Sequence, residues 1–546
     1  KLGSKMKTMI YSGKSLEEIR KPEDAVLNLE TPDEKRKQFI LEDKDIVQLA
    51  DWAIKIQNHY KRNMDIEWAK DGETGNLFIV QARPETVHSN RNKNLLKQYK
   101  LLEKGTVLCR GVGLGNRIAS GKARILHSPS EMNKLNEGEI LVTEQTDPDW
   151  DPILKKATAI ITDQGGRTSH AAIVARELGA IAIVGTGNGT KNIKDGQVIT
   201  VTAAEGDTGY AYDGILKWAE KDIDISTVPK PKTKTMLILA HPDQAFAYSF
   251  LPNDGVGLLR MEFIINSAIA IHPMALKHFD AIKDEKVKNK IAGITSQYSK
   301  KEQYFIQKLA EATATIAAAF YPKEVIVRMS DFKSNEYANL LGGKQFEPEE
   351  ENPMIGFRGA SRYYDPLYKE GFEMECKAMK IVRNEMGLTN VKLMIPFCRT
   401  VKEAEKVIGV MNEFGLRRGE NGLEVYVMIE IPSNALQAEE FAKHFNGFSI
   451  GSNDLTQLTL GADRDSKLLS EIFDPFDPAV MQLIKMTLRK AKKTHTHTGL
   501  CGQAPSDYPE FAGFLVENGI DSISFNPDAL IQGIINIDKA EREKSK

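Results

Sequence analysis

The run VYVMIEIPSNALQAEEFAKHFNGFSIGSND, residues 425–454, holds an apolar β-like stretch, an amphipathic stretch and a second apolar stretch in that order. Ala438, Phe441, Ala442 and Phe445 fall at i, i+3, i+4 and i+7, the spacing of a helix with one buried face; Asn434 is its expected N-cap and Gly447 its stop. Working outward, similar apolar runs recur: MLILA (236–240), GVGLLR (255–260), VIVR (325–328), MIGFR (354–358), KLMIPF (392–397), GLCGQ (499–503) and SISF (522–525). Strands that alternate with helices from 236 to 546 predict an α/β multidomain chain whose C-terminal part is a (β/α)8 barrel of the TIM type.

Several of these runs end in a polar residue: Arg260, Arg328, Arg358, Glu430, Asn453 with Asp454, and Cys501. Barrels of this kind build their sites at the carboxyl ends of the strands. Glu430 and Asp454 lie one strand-helix-strand unit apart, so both carboxylates can converge on one divalent ion, and two carboxylates plus substrate oxygens suit magnesium. Three arginines at the same mouth offer rigid forks for a substrate bearing carboxylate and phosphate. Cys501, flanked by Gly502 and Leu500, is expected to present an accessible thiol suited to proton transfer, whereas Cys109, Cys376 and Cys398 read as inert core.

Residues 106–215 change the pattern to short β-like runs, KARIL (122–126), EILVT (139–143), ATAIITD (157–163), AIAIV (180–184) and QVITV (197–201), broken by one good helix at 169–178. The segment GGRTSHAAIVARELG (165–179) sets His170 at the start of that helix, behind two glycines, Arg167 and Thr168. A helix N-terminus favours negative charge, so His170 can carry a phosphoryl group with Arg167 and Thr168 on its oxygens; an ordinary N-terminal histidine after a turn fits the same spacing. Residues 88–105 and 216–235 read as linkers, and a domain tethered at both ends is a candidate carrier. Residues 1–87 open on what reads as the middle of a β-rich element and contain an amphipathic helix at 46–60 and a hairpin at 65–83, too little for a domain alone, so the chain is expected to start inside one.

With 73 Lys and Arg against 75 Asp and Glu, a net charge of −2, the chain advertises no surface for nucleic acid. Its apolar runs are far shorter than the ~20 residues that a bilayer crossing needs. Four cysteines without Cys-x-x-Cys spacing support neither a disulfide framework nor a zinc knuckle and fit a cytoplasmic setting.

GGRTSHAAIVARELG, GVGLLRMEF, VIVRMSDFKSNEYANLLGG, NPMIGFRGASRY, VMIEIPSNALQAEEF, IGSNDLTQLTLGADRDS and CGQAPSDYPEFAGFLVENGIDSISFNPDAL together resemble the phosphoenolpyruvate synthase (pyruvate, water dikinase) family over essentially the whole chain. The resemblance implies a gluconeogenic phosphotransferase: ATP phosphorylates a histidine, water takes the other phosphate, and a swivelling phosphohistidine domain delivers the group to pyruvate. Carried onto this chain, His170 is the phosphoryl carrier and Cys501 exchanges the methyl proton. Arg260, Arg328, Arg358, Glu430, Gly451, Ser452, Asn453 and Asp454 would bind pyruvate or phosphoenolpyruvate, Glu430 and Asp454 holding Mg2+. Glu67, Gln81 and Arg83 match residues that face Mg-ATP, so residues 1–87 are implied to be the last piece of an ATP-grasp domain; the chain as given is then expected not to phosphorylate itself from ATP. The resemblance also implies a homodimer joined through the barrel and, at Thr168, a regulatory phosphorylation.

Three other readings remain open on the sequence: a pyruvate, phosphate dikinase; a phosphocarrier like enzyme I, for whose partner-docking insertion residues 106–215 leave little room; and a non-catalytic fragment that only binds phosphoenolpyruvate.

Overall fold

The computed structural model describes residues 5–544 except 6, 16–18, 20, 37, 85–94, 116, 167–168, 179, 205–207 and 465. It divides into two compact units, residues 1–95 with 292–300 and residues 96–291 with 301–546. In the first, β1 (Lys7–Tyr11) pairs antiparallel with β2 (Val26–Glu30), and β3 (Met64–Lys70) with β4 (Leu77–Pro84). The second pair is the hairpin expected at 65–83. Asp71 closes its turn by accepting from the N–H groups of Glu73 (3.0 Å) and Thr74 (2.6 Å). The amphipathic helix runs Asp43–Tyr60 and stops at Lys61, whose φ of 51° is left-handed.

β5 (Leu95–Leu101) leads into the second unit. There β6 (Val107–Leu114), β7 (Ile118–Ile125), β8 (Ile140–Thr143), β9 (Ala159–Thr162), β10 (Ile181–Val184), β11 (Val198–Thr202) and β12 (Thr208–Asp213) close into a barrel in the order β10-β6-β12-β11-β7-β8-β9. β7 with β8, β8 with β9 and β9 with β10 pair parallel, the other neighbours in the barrel pair antiparallel, and the helix His170–Leu178 is the crossover between β9 and β10. One face of the sheet packs Ile160, Ala182 and Val184 against Ala171, Ala172 and Ala175 of this helix, which fixes the helix start beside the β9 end.

Residues 88–94 of the first expected linker lie outside the described residues, and the described parts of the two stretches pair with each other. β13 (Trp218–Asp224) pairs with β5 as a two-stranded ribbon, extended by the Leu102 N–H donating to the Lys217 carbonyl at 2.9 Å and by a Lys217–Glu103 ion pair at 3.1 Å. The charged composition that reads as a linker is that of a thin ribbon with little to bury.

β14 (Lys234–Leu239), β15 (Gly255–Arg260), β16 (Glu324–Arg328), β17 (Val391–Ile395), β18 (Val425–Ile429), β19 (Gly447–Ile450), β20 (His497–Leu500) and β21 (Ser522–Phe525) form a second closed barrel, every neighbour parallel. Eight strands complete it, so MIGFR is not a strand. After Pro353 the chain turns, Ile355 is exposed, and the Phe357 N–H donates to the Glu350 carboxylate at 2.8 Å rather than to a ladder. The expected helix after Asn434 is two, Pro432–Leu436 and Ala438–His444; Asn434 sits inside the first rather than capping the second, and Gly447 opens β19. Ile238, Leu258, Ile326, Met394, Tyr426, Met428 and Cys501 pack together as one buried cluster. At the N-terminal mouth Glu324 pairs with Lys234 (2.6 Å) and Lys392 (2.7 Å), and Lys392 with Glu424 (2.8 Å). Among the described residues no helix is long and apolar enough to cross a membrane.

Candidate active site

Arg260 and Arg328 are the last residues of β15 and β16, Glu430 and Gly451 follow β18 and β19, and Cys501 follows β20. Parallel closure brings these strand ends to one mouth, as the sequence predicts. They line a cavity of about 360 Å³, and His170, Thr146, Gln164 and Gly165 of the smaller barrel line the same cavity.

Three carboxylates gather there. Asp331, Glu430 and Asp454 each place an oxygen within 4.8 Å of the others, and all three are buried. Burial, with Asp454 and Asp331 beside it, pushes Glu430 up to about 8 against the opposing pull of Arg358 and Arg328. Burial acts on Asp454 in the same direction, but Arg358, Arg464 and Arg328 hold its carboxyl well below the usual range. Oε1 of Glu430 accepts from the Phe397 N–H at 2.6 Å, whereas Oε2 is buried without a hydrogen-bond partner. An orphaned carboxylate oxygen beside two other acids is the donor set that a hard divalent cation satisfies.

The arginines divide the work differently from expectation. Arg358 lies beyond any strand, yet reaches the mouth with its fork already engaged: Nε donates to Asp331 Oδ1 (2.8 Å), and Nη2 to Asp331 Oδ2 (2.9 Å) and Asp454 Oδ2 (2.8 Å). Arg328 pairs with Glu262 and, at 3.1 Å, with Asp331. The Arg260 guanidinium lies 5.6 Å from the Phe263 ring centre, and Arg464 is 3.4 Å from Asp454. Sequence reasoning passed over Asp331, Glu262, Arg464 and Thr146. The signal for Asp331 was its place three residues after Arg328 at the end of β16, and Arg464 lay in the quoted run GADRDS.

Gly451 precedes the helix Ser452–Leu460, whose first turn carries Asn453 and Asp454. A Cβ on Gly502 would overlap Ser452 Oγ and lie 2.9 Å from its main-chain N, so that glycine is required by contact, whereas one on Gly451 would press on Met428 Cε (2.9 Å) and Glu430 Oε2 (3.0 Å) and make those side chains shift. Cys501 is 3% exposed: it caps the apolar cluster between the strands, and only a small part of its surface opens onto the cavity it lines. Burial pushes its thiol up to about 11, with Ser449, Arg328 and Arg260 opposing and Glu430 assisting. Cys109, Cys376 and Cys398 are buried, and burial raises each thiol.

Nδ1 of His170 is 3.2 Å from the Thr146 hydroxyl. Arg167 and Thr168 lie outside the described residues. In the first unit Glu67 faces Gln81 across the β3–β4 ladder, and Arg83 pairs with Asp65 at 2.9 Å; all are exposed.

Three family descriptions match the chain: PEP-utilising enzyme, PEP-binding domain over residues 217–542; PEP-utilising enzyme, mobile domain over 135–206; and pyruvate phosphate dikinase, AMP/ATP-binding domain over 4–103. Phosphoenolpyruvate synthase of Aquifex aeolicus is 52% identical, over 100% of this chain and 69% of the relative. Those of Synechocystis sp. and Escherichia coli are 52% and 51% identical, over 99% and 97% of this chain and 66% of each relative. The chain thus spans about two thirds of the length of these relatives. On this similarity, and with a barrel mouth that collects the acids, arginines and thiol beside His170, the chain belongs to the phosphoenolpyruvate synthase family of PEP-utilising enzymes.

Proposed function

We propose that the chain transfers a phosphoryl group between His170 and pyruvate, the pyruvate-side half of a reaction in which ATP, pyruvate and water give AMP, phosphoenolpyruvate and phosphate. The observation that carries this reading is the single cavity lined both by His170 and by Arg260, Arg328, Glu430, Asp454 and Cys501. Residues 106–215 act as the phosphohistidine domain, 236–546 as the pyruvate domain, and Glu67, Gln81 and Arg83 belong to the ATP side of the longer reaction. A homodimer through the barrel and a cytoplasmic setting rest on the family resemblance.

Read from phosphoenolpyruvate, the P–O bond breaks as a P–N bond forms at His170, and the released enolate takes a proton at its methylene carbon. Burial pushes the Cys501 thiol up to about 11, which suits its S–H to giving that proton and leaving a thiolate; in the synthetic direction the thiol must first lose its proton to solvent through the cavity before the thiolate takes one from the pyruvate methyl group. Arg260 and Arg328 hold carboxylate and phosphate, and the low-dielectric mouth strengthens each contact. Asp331, Glu430 and Asp454 fit Mg2+, which when bound supplies positive charge to the developing enolate and phosphoryl oxygens. Gly451, Asn453 and Asp454 at the start of the helix Ser452–Leu460 line the same cavity, where a helix N-terminus favours negative charge.

The test incubates the chain with magnesium and phosphoenolpyruvate labelled at phosphorus. Acid-labile, base-stable label on the parent and none on His170→Ala is expected. Unlabelled parent that still binds phosphoenolpyruvate would give the lead to a binding-only role.

A further inference from the structure

Phe397 stands just past the end of β17 with φ 48°, the left-handed region, which a bulky side chain rarely adopts and which persists where the surroundings over-determine it. That conformation aims its N–H at Glu430 Oε1, 2.6 Å away, and Oε2 of the same carboxylate is the buried oxygen without a partner. Its ring, 2% exposed, carries the Arg358 guanidinium 4.2 Å from the ring centre. Arg358 in turn holds both oxygens of Asp331 and one of Asp454. One residue therefore reaches all three acids, Glu430 through its main chain and the other two through Arg358, which shares its ring with Arg399 at 4.8 Å.

The surroundings fix this arrangement. A Cβ on Gly359, the neighbour of Arg358, would lie 2.5 Å from Phe397 Cβ, so only glycine lets ring and arginine approach. The next carbonyl, Cys398, accepts from Asn434 Nδ2 at 2.6 Å, while Asn434 Oδ1 accepts from the N–H groups of Ile431 (3.1 Å) and Glu430 (3.3 Å). Asn434 thereby ties the end of β17 to the end of β18. A phenylalanine that only fills core needs neither a positive φ nor an N–H directed at a buried acid.

We propose that Phe397 is the positioning residue of the acidic cluster: its N–H selects which oxygen of Glu430 turns toward the cation, and its ring sets the plane in which Arg358 presents Asp331 and Asp454. The proposal rests on the reading of those acids as a divalent-cation site. Loss of a group that orients metal ligands weakens metal binding by about ten- to a hundredfold.

The experiment titrates Mn2+ into the full chain and follows free Mn2+ by electron paramagnetic resonance, beside the Mg2+ dependence of His170 labelling. Phe397→Leu keeps the main-chain N–H and most of the volume but removes the aromatic face; Phe441→Leu makes the same truncation at another fully buried position, on the helix Ala438–His444. Expected are a Mn2+ dissociation constant raised roughly tenfold or more in Phe397→Leu and unchanged in Phe441→Leu. Circular dichroism checks folding, with Phe397→Met replacing a variant that fails. Equal Mn2+ affinity in parent and Phe397→Leu, or an equal loss in both leucine variants, overturns the positioning role while leaving the cation site standing. No Mn2+ binding by the parent overturns the cation site itself.

Discussion

The Thr146 hydroxyl lies 3.2 Å from Nδ1 of His170, and both residues line the cavity at the barrel mouth. Phosphorylation at Nδ1 would break this contact, so the phosphoryl group is expected on Nε2. Phosphorus NMR of the labelled chain should show that isomer. Thr146→Val, which keeps the shape and removes the hydroxyl, should slow transfer by about fivefold, the effect of roughly 1 kcal/mol for a neutral hydrogen bond.

Cys501→Ala removes the proton donor but no charged contact to substrate. Transfer should fall by about a hundredfold or more while the dissociation constant for phosphoenolpyruvate changes by only a few-fold. Stopped-flow transfer rates and calorimetric binding separate the two, and a parallel loss of binding would count against the proton role.

Gly502→Ala forces a methyl group into Ser452, onto its Oγ and within 2.8 Å of its Cβ and 2.9 Å of its N. The helix start that carries Asn453 and Asp454 must move, so phosphoenolpyruvate binding should be lost while far-ultraviolet circular dichroism stays close to the parent. Adding Ser452→Ala should not restore it, because the main-chain nitrogen still collides.

His497, at the N-terminal end of the larger barrel, has both ring nitrogens buried without a hydrogen-bond partner, 5.9 Å from the Tyr426 ring. Burial holds it below the usual imidazole range; Asp521 and Glu324 pull upward, Lys234 and Lys392 push downward. A folded-state value below the unfolded 6.5 means that the neutral ring contributes stability above that pH and loses it as pH falls. The apparent melting temperature should therefore drop between about pH 7 and pH 5.5, and His497→Phe should make that drop shallower. An unchanged slope would show that the ring does not couple to folding.

Periodicity alone located the larger barrel, because parallel strands buried on both faces read as unbroken apolar runs and Phe441 and Phe445 mark the helix between two of them. It overcounted by one at MIGFR, where the pattern is apolar but Pro353 and the glycines around Arg358 make turns. The acid cluster was two-thirds legible: Glu430 follows β18 directly and Asp454 lies in the helix turn after β19, whereas Asp331 sits in the loop after β16 and is held by Arg328 and by Arg358, 27 residues on. Asn434 looked like a cap since asparagine favours helix starts, yet its amide spans two strand ends instead. The thiol of Cys501 was expected in the open because it lies among glycines at a strand end; the apolar residues beneath it come from five other strands, which no local reading supplies.

The pairing of β5 with β13 changes the kind of joint on which the His170 domain hangs. Two independent tethers would let the domain tumble through a broad volume, and each productive docking would then compete with many idle orientations. A zipped stalk removes most of those orientations in advance, leaving excursions that resemble the sweep of a door more than the wandering of a leashed animal. Loosening the zipper, for instance with a proline in either strand, should make arrivals at the barrel rarer without touching a single group that handles the phosphoryl.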